Sequence, residues 1–147
     1  MVKVKDILEI KGKAIVTIRE DQSLYQALET FAAKKVGSLI VLDATDKIVG
    51  IVSPRDVLTD IIKRCDQIHK TTVSEVMTKE LIVGTPEDDL DYVQAIMTEN
   101  RIRHLPIVEQ NNLVGIVSIG DVVKAQLKEI AVENHYLRDY MISKYPA

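Results

Sequence analysis

The tetrapeptide Gly50-Ile51-Val52-Ser53 returns 65 positions later as Gly115-Ile116-Val117-Ser118, and Asp56-Val57 returns as Asp121-Val122 at the same offset. Upstream the offset is 66: Val36-Gly37-Ser38-Leu39 lies over Ile102-Arg103-His104-Leu105, Leu24 over Leu90 and Phe31 over Met97. The one-residue difference falls at Asp43-Ala44-Thr45-Asp46 against Glu109-Gln110-Asn111-Asn112, polar turns of the kind that tolerate a change of length. Further back, Val4-Lys5-Asp6-Ile7-Leu8 is matched by Val73-Ser74-Glu75-Val76-Met77. A chain written twice folds as two copies of one supersecondary unit. Each half is too small to hide its own apolar face comfortably, so the halves are expected to pack together. The expected division is a first repeat at 1–64, a linker at 65–72, a second repeat at 73–128 and a helical tail at 129–147.

Within each half the residue pattern predicts β-α-β-β-α. Ala14–Val16 and Leu81–Val83 are short β-rich runs. Leu24, Ala27, Leu28 and Phe31, then Leu90, Val93, Ile96 and Met97, follow helical spacing. Thr85-Pro86 suits the start of the second of these helices, as a cap followed by proline, with Glu87-Asp88-Asp89 as negative charge in its first turn. Ser38–Leu42 with Ile48–Val52, and Leu105–Val108 with Leu113–Val117, predict hairpins. Closing helices follow from Pro54 and Ile119. The fold class is therefore α/β (α+β), two such repeats plus a C-terminal helix.

Composition removes several functions. A net charge of −3 supplies no basic field, so nucleic acid is not an expected partner. A lone Cys65 excludes a disulfide framework, and His69, His104 and His135 lack metal-ligand spacing. There is no G-x-x-x-x-G-K-[ST] or G-x-G-x-x-G loop, and no nucleophile elbow. No catalytic residue and no required cofactor is expected. The opening Met1-Val2-Lys3-Val4-Lys5-Asp6 reads as neither a secretory signal nor a transit peptide, and apolar runs such as Leu39–Leu42 are too short to span a bilayer. A cytoplasmic protein with no membrane partner is the expectation.

The runs Ile102-Arg103-His104-Leu105-Pro106-Ile107-Val108 and Leu113-Val114-Gly115-Ile116-Val117-Ser118-Ile119-Gly120-Asp121-Val122-Val123-Lys124 resemble the CBS domain, named after cystathionine β-synthase. Val73–Thr78 resembles the usual domain opening. Gly37–Val41 and Ile48–Asp56 carry the same pattern in the first half, so the likeness covers roughly residues 4 to 128. The pair resembles a Bateman module. That resemblance implies a pseudo-two-fold pair of repeats, dimerisation into a disc, and a regulatory cleft between the repeats. The ligands it implies are AMP, ADP or ATP, with NAD and S-adenosylmethionine as further members.

The repeated Ser-x-x-Asp has its own chemistry. Ser53-Pro54-Arg55-Asp56 and Ser118-Ile119-Gly120-Asp121 stand where a strand turns into a helix. A serine cap with an acid three residues on is a capping box. A helix start also offers unpaired N–H groups, and a carboxylate beside it can accept two ribose hydroxyls, as an acid does in dinucleotide folds. The resemblance assigns that ribose role to Asp56 and Asp121. Arg103 and His104 are candidate phosphate partners, with Arg55, Lys35 and Arg101 secondary. The alternative for Arg103 is an exposed charge at a helix end, and for His104 a packed, satisfied side chain. The first half has Gly37-Ser38 in their place, so the two sites are unequal. An apolar adenine slot would draw on Val16, Thr17, Ile18 and Ile40 in one site and on Ile82, Val83 and Pro106 in the other. Ordinary core is the alternative for these residues.

Beyond the second repeat, Val123, Leu127, Ile130, Leu137, Tyr140 and Met141 mostly keep one helix face, and Tyr136, Tyr140 and Tyr145 gather there. That face suits either self-association or packing back onto its own domain; self-association is the expectation taken, so a homodimer is expected, together with an unknown effector protein. The functional expectation is a non-catalytic sensor of an adenosine nucleotide that changes its conformation or partner affinity. The alternative is a dimeric scaffold of the same fold without a nucleotide.

Overall fold

The computed structural model describes residues 2–12 and 15–144, and beyond 131 it describes side chains only at 135 and 137. The chain forms two compact units that are not the two sequence repeats. The central unit is Ala14–Val83, and the split unit joins Met1–Lys13 to Gly84–Ala147.

In the central unit β1 (Thr17–Arg19) pairs in parallel with β2 (Leu39–Leu42), which pairs antiparallel with β3 (Ile48–Val52). The helix α2 (Leu24–Lys34) connects β1 to β2, and α3 (Pro54–Arg64) follows β3. Ser23 caps α2 by accepting the Gln26 N–H, and the Gln26 side chain returns to the Ser23 N–H at 2.9 Å. Leu24, Ala27 and Phe31 share the inward face of α2 and pack with Ile18, Leu39, Val41, Val52, Val57 and Val73. This is the aliphatic core that a chain with no tryptophan and one phenylalanine must build.

The split unit holds α1 (Val4–Lys11), α4 (Leu90–Asn100), β4 (His104–Glu109), β5 (Asn112–Ser118) and α5 (Ile119–Lys144). The two strands form an antiparallel hairpin with His104 opposite Ser118. Val4, Ile7 and Leu8 are the buried face of α1.

The repeat openings are crossed. In the central unit the opening of the second repeat, a 3-10 turn at Val73–Glu75, bonds to the first repeat: Val73 N–H to Gln22 O, Ser74 N–H to Glu20 O, and Leu24 N–H to Thr71 O. In the split unit the opening of the first repeat repeats the pattern on the second: Val4 N–H to Asp88 O, Lys5 N–H to Pro86 O, and Leu90 N–H to Val2 O. The side chains follow suit. A Cβ on Gly50 would lie 2.6 Å from Met77 Sδ, and one on Gly115 would lie 2.7 Å from Leu8 Cδ2. Each glycine leaves room for the opening segment that covers its sheet.

Three local expectations are corrected. The first strand is Thr17–Arg19 rather than Ala14–Val16, of which Ala14 lies outside the described residues. Leu81–Val83 forms no strand, and only an isolated bridge joins Gly84 to Ile107. The positions matching Thr17-Ile18-Arg19 are Val83-Gly84-Thr85, followed by Pro86. Glycine weakens a strand and proline cannot donate to the ladder, so β-α-β-β-α is complete only once. Finally, α4 begins at Leu90 with Asp89 as its cap. Thr85–Asp88 is a turn, in which Asp88 accepts the Thr85 N–H at 2.8 Å, and Glu87 pairs with Lys3 and Lys5 instead of serving a helix start.

Candidate functional site: two helix starts with a carboxylate

Both Ser-x-x-Asp motifs form the capping box that their spacing predicts. At the start of α3 Asp56 Oδ2 accepts the Ser53 N–H at 2.9 Å and the Ser53 hydroxyl at 3.1 Å. At the start of α5 Asp121 Oδ2 accepts the Ser118 N–H at 2.8 Å, and Ser118 Oγ accepts the Asp121 N–H at 3.1 Å. Among the described residues every bond to either carboxylate falls on Oδ2, which leaves Oδ1 of each as an open acceptor. A cap therefore uses half of each carboxylate.

The two surroundings differ. In the split unit Lys11, from the last turn of α1, places Nζ 2.7 Å from Asp121 Oδ2 and 2.7 Å from Ile116 O. Burial pushes the Asp121 carboxyl up, but the Lys11 bond and charge and the Ser118 N–H outweigh it, so it titrates below the usual aspartate range. His104 and Arg103 belong to the same group. Burial is the main cause that lowers the His104 imidazole, Lys11 and Arg103 add to it, and Asp121 opposes it. The Arg103 side chain is exposed, while its carbonyl accepts the Ile119 N–H at the start of α5.

In the central unit Ser53 and Asp56 are half-buried and Arg55 is exposed. Among the described residues Asp56 has no ion pair. Thr17 is exposed beside Ile40 in the parallel register, and Val16 is half-buried with its carbonyl bound to the Ile40 N–H. Ile18 and Ile40 are fully buried, Ile18 within the aliphatic core. Ile82 is half-buried and Val83 exposed in unpaired chain. Pro106 is buried in β4 of the split unit, where its carbonyl accepts the Gly84 N–H. Lys35 and Arg101 are brought to neither motif by any bond. Each is the left-handed C-cap of its helix, with φ of 54° and 55°.

Sequence reasoning missed Lys11. No local motif marks it. The match of Leu8 to Met77 gives α1 its place in the repeat, but the crossing that sets it against the sheet carrying Gly115 is visible only in the structure.

The fold and the repeated motif define a tandem CBS-domain regulatory module, and the chain belongs to the CBS domain family, whose pattern matches residues 4–63 and 73–128. It is 33% identical over 150 residues to the CBS domain-containing protein CBSX3, mitochondrial, of Arabidopsis thaliana, covering 97% of this chain and 73% of that one. The CBS-domain protein ATU1752 of Agrobacterium tumefaciens has a solved structure with a TM-score of 0.82 and 38% identity, covering 84% of this chain and 92% of that one. The CBS domain pair of protein MJ0100, solved in complex with 5-methylthioadenosine and S-adenosyl-L-methionine, matches at 25% identity and a TM-score of 0.77, over 88% and 98%. No helix among the described residues is long and apolar enough to cross a membrane.

Proposed function

We propose that this chain senses an adenosine-containing ligand, of the AMP, ADP or ATP type, and converts occupancy into a change of conformation or partner affinity without catalysis. The observation that carries this reading is the pair of capping carboxylates, Asp56 and Asp121, each with an open Oδ1 at a helix start. Such an oxygen accepts a ribose hydroxyl without dismantling the cap. The complex of the MJ0100 pair with two adenosyl compounds supports the ligand class. In this reading Arg103 and His104 take the ligand's phosphates, Arg55 assists at the other site, and adenine rests on Val16 and Thr17 or on Ile82 and Val83, while Ile18, Ile40 and Pro106 are buried and serve as core. The cytoplasm, where such nucleotides are abundant, is the proposed setting.

A second reading, a dimeric scaffold, draws on a different observation. Leu58 and Ile62 of α3 are exposed, as are their repeat mates Val123 and Leu127 of α5, followed by Ile130 and Leu137. Exposed aliphatic groups at matched positions suit a homodimer. The side chains of Tyr136, Tyr140 and Met141, and all of Tyr145, lie outside the described residues.

Titration with AMP, ADP, ATP, NAD and S-adenosylmethionine, followed by thermal midpoint and heat, separates the two readings. A ligand at 100 times its Kd stabilises by about 2.7 kcal/mol. A response to one of them that Asp56→Ala or Asp121→Ala abolishes is the expected result. Silence from all five in folded, nucleotide-free protein would favour the scaffold.

A further inference from the structure

Resting on the reading of Asp121 as a ribose acceptor, the geometry points to Lys11 as an internal competitor of the ligand: a ribose that engages both oxygens of Asp121 displaces the Lys11 ammonium and unlatches the last turn of α1. Two adjacent ribose hydroxyls bind a carboxylate best through both of its oxygens. At Asp121 only Oδ1 is open, because Oδ2 already accepts the Ser118 N–H at 2.8 Å and Lys11 Nζ at 2.7 Å. A carboxylate oxygen offers about two lone-pair sites, so one donor must leave. The Ser118 N–H is fixed by the helix start. The Lys11 side chain is 35% exposed, against 15% for Asp121, and sits on a flexible stem that water can receive.

The other motif has no such latch. The carbonyl of Ile51, which matches Ile116, accepts the backbone N–H of Thr78 at 2.9 Å and needs no ammonium. Beyond the Ser53 N–H, Asp56 Oδ2 holds only the Ser53 hydroxyl, a rotor that can turn away without breaking an ion pair. Counted from the match of Leu8 to Met77, the residue in the place of Lys11 is Glu80. The two sites therefore fill in order, Asp56 first, and only the second filling is coupled to α1, whose last turn closes with the Gly12 N–H on Leu8 O.

The test is calorimetry of the full chain with adenosine, an uncharged probe, in an Asp56→Ala background that leaves the Asp121 site alone. Repeating it with Asp56 intact, fitted as two sites, serves if Asp56→Ala folds poorly. A partly exposed ion pair is worth about 0.2–1 kcal/mol. Lys11→Met and Lys11→Gln should therefore bind adenosine up to about five-fold tighter at low salt, with the gap closing in about 0.5 M NaCl as screening weakens the latch. Equal or weaker binding in both variants overturns the inference and leaves the ribose reading standing. No heat at the Asp121 site in wild type or either variant overturns both.

Discussion

Gly115→Ala places a methyl group where Leu8 already lies. Its Cβ would be 2.7 Å from Leu8 Cδ2 and 3.3 Å from Cδ1. Carbon atoms settle at about 3.5–4.0 Å, so the Leu8 tip must retreat by roughly 1 Å, the difference between that spacing and the contact. Leu8 is 3% exposed and packed beside Val4 and Ile7, so the retreat disturbs a filled region, and overpacking of this kind costs about 1–3 kcal/mol. Alanine restricts the unfolded chain relative to glycine, which offsets about 0.4–1 kcal/mol. The net cost is about 1–2 kcal/mol. Leu8→Ala alone removes a buried side chain at about 2–5 kcal/mol. In that background the three atoms nearest the methyl group, all from the Leu8 side chain, are gone, and Gly115→Ala should be neutral or mildly stabilising. The double-mutant cycle should then show a coupling of about 1–3 kcal/mol, the overpacking cost with the chain-entropy offset cancelled, read from urea midpoints at constant m value. Additivity within about 0.5 kcal/mol would refute the packing of α1 over Gly115, and with it the placement of Lys11 beside Asp121.

Gly50→Ala should cost more, about 2–3 kcal/mol by the same urea measurement: its Cβ would meet Thr78 O at 2.9 Å as well as Met77 Sδ. That carbonyl is held by the Ile51 N–H at 3.0 Å and cannot swing aside like a side chain, so a cost no larger than that of Gly115→Ala would count against this argument. Acid should weaken the fold through His104. Its folded imidazole titrates below the ordinary 6.5, so between that lower value and 6.5 the unfolded chain binds more protons. Stability is full above pH 6.5 and falls as the pH drops toward the folded value. Asp121 is lowered from 3.8, so its contribution persists above that pH and leaves the histidine window clear. The urea midpoint of His104→Asn should fall less than wild type between pH 7 and about pH 5; an unchanged slope would remove His104 as the cause.

Much of the fold was legible because the repeat doubles every local signal. The hairpins, the capped α2 and the starts of α3 and α5 each follow from residues within a few positions of one another. The corrections fall where a local signal is outweighed by its neighbours or by a distant partner. Val83-Gly84-Thr85 occupies the place of a strand but holds a glycine at the position of Ile18, with Pro86 close behind. Thr85-Pro86 reads as a helix start. Yet Leu90 N–H is bonded to Val2 O and Asp88 O to Val4 N–H, so the chain at 85–88 serves the α1 segment and the helix waits until Leu90. Local propensity could not register a partner more than eighty residues away.

The site shows the same limit more sharply. Ser53-x-x-Asp56 and Ser118-x-x-Asp121 are one motif in sequence and one capping box in structure, yet their carboxylates have different electrostatic settings. What stands beside each is decided by the opening segment that crosses to that unit. Val4–Lys11 brings an ammonium to Asp121, whereas the chain after Met77 runs through Thr78 and Lys79 to Glu80 and brings Asp56 no ion pair among the described residues. Had each opening stayed with its own repeat, Lys11 would belong to the unit of Asp56 and the inequality would be reversed. The crossing of the openings, more than the motif, therefore determines which of two identical caps is latched.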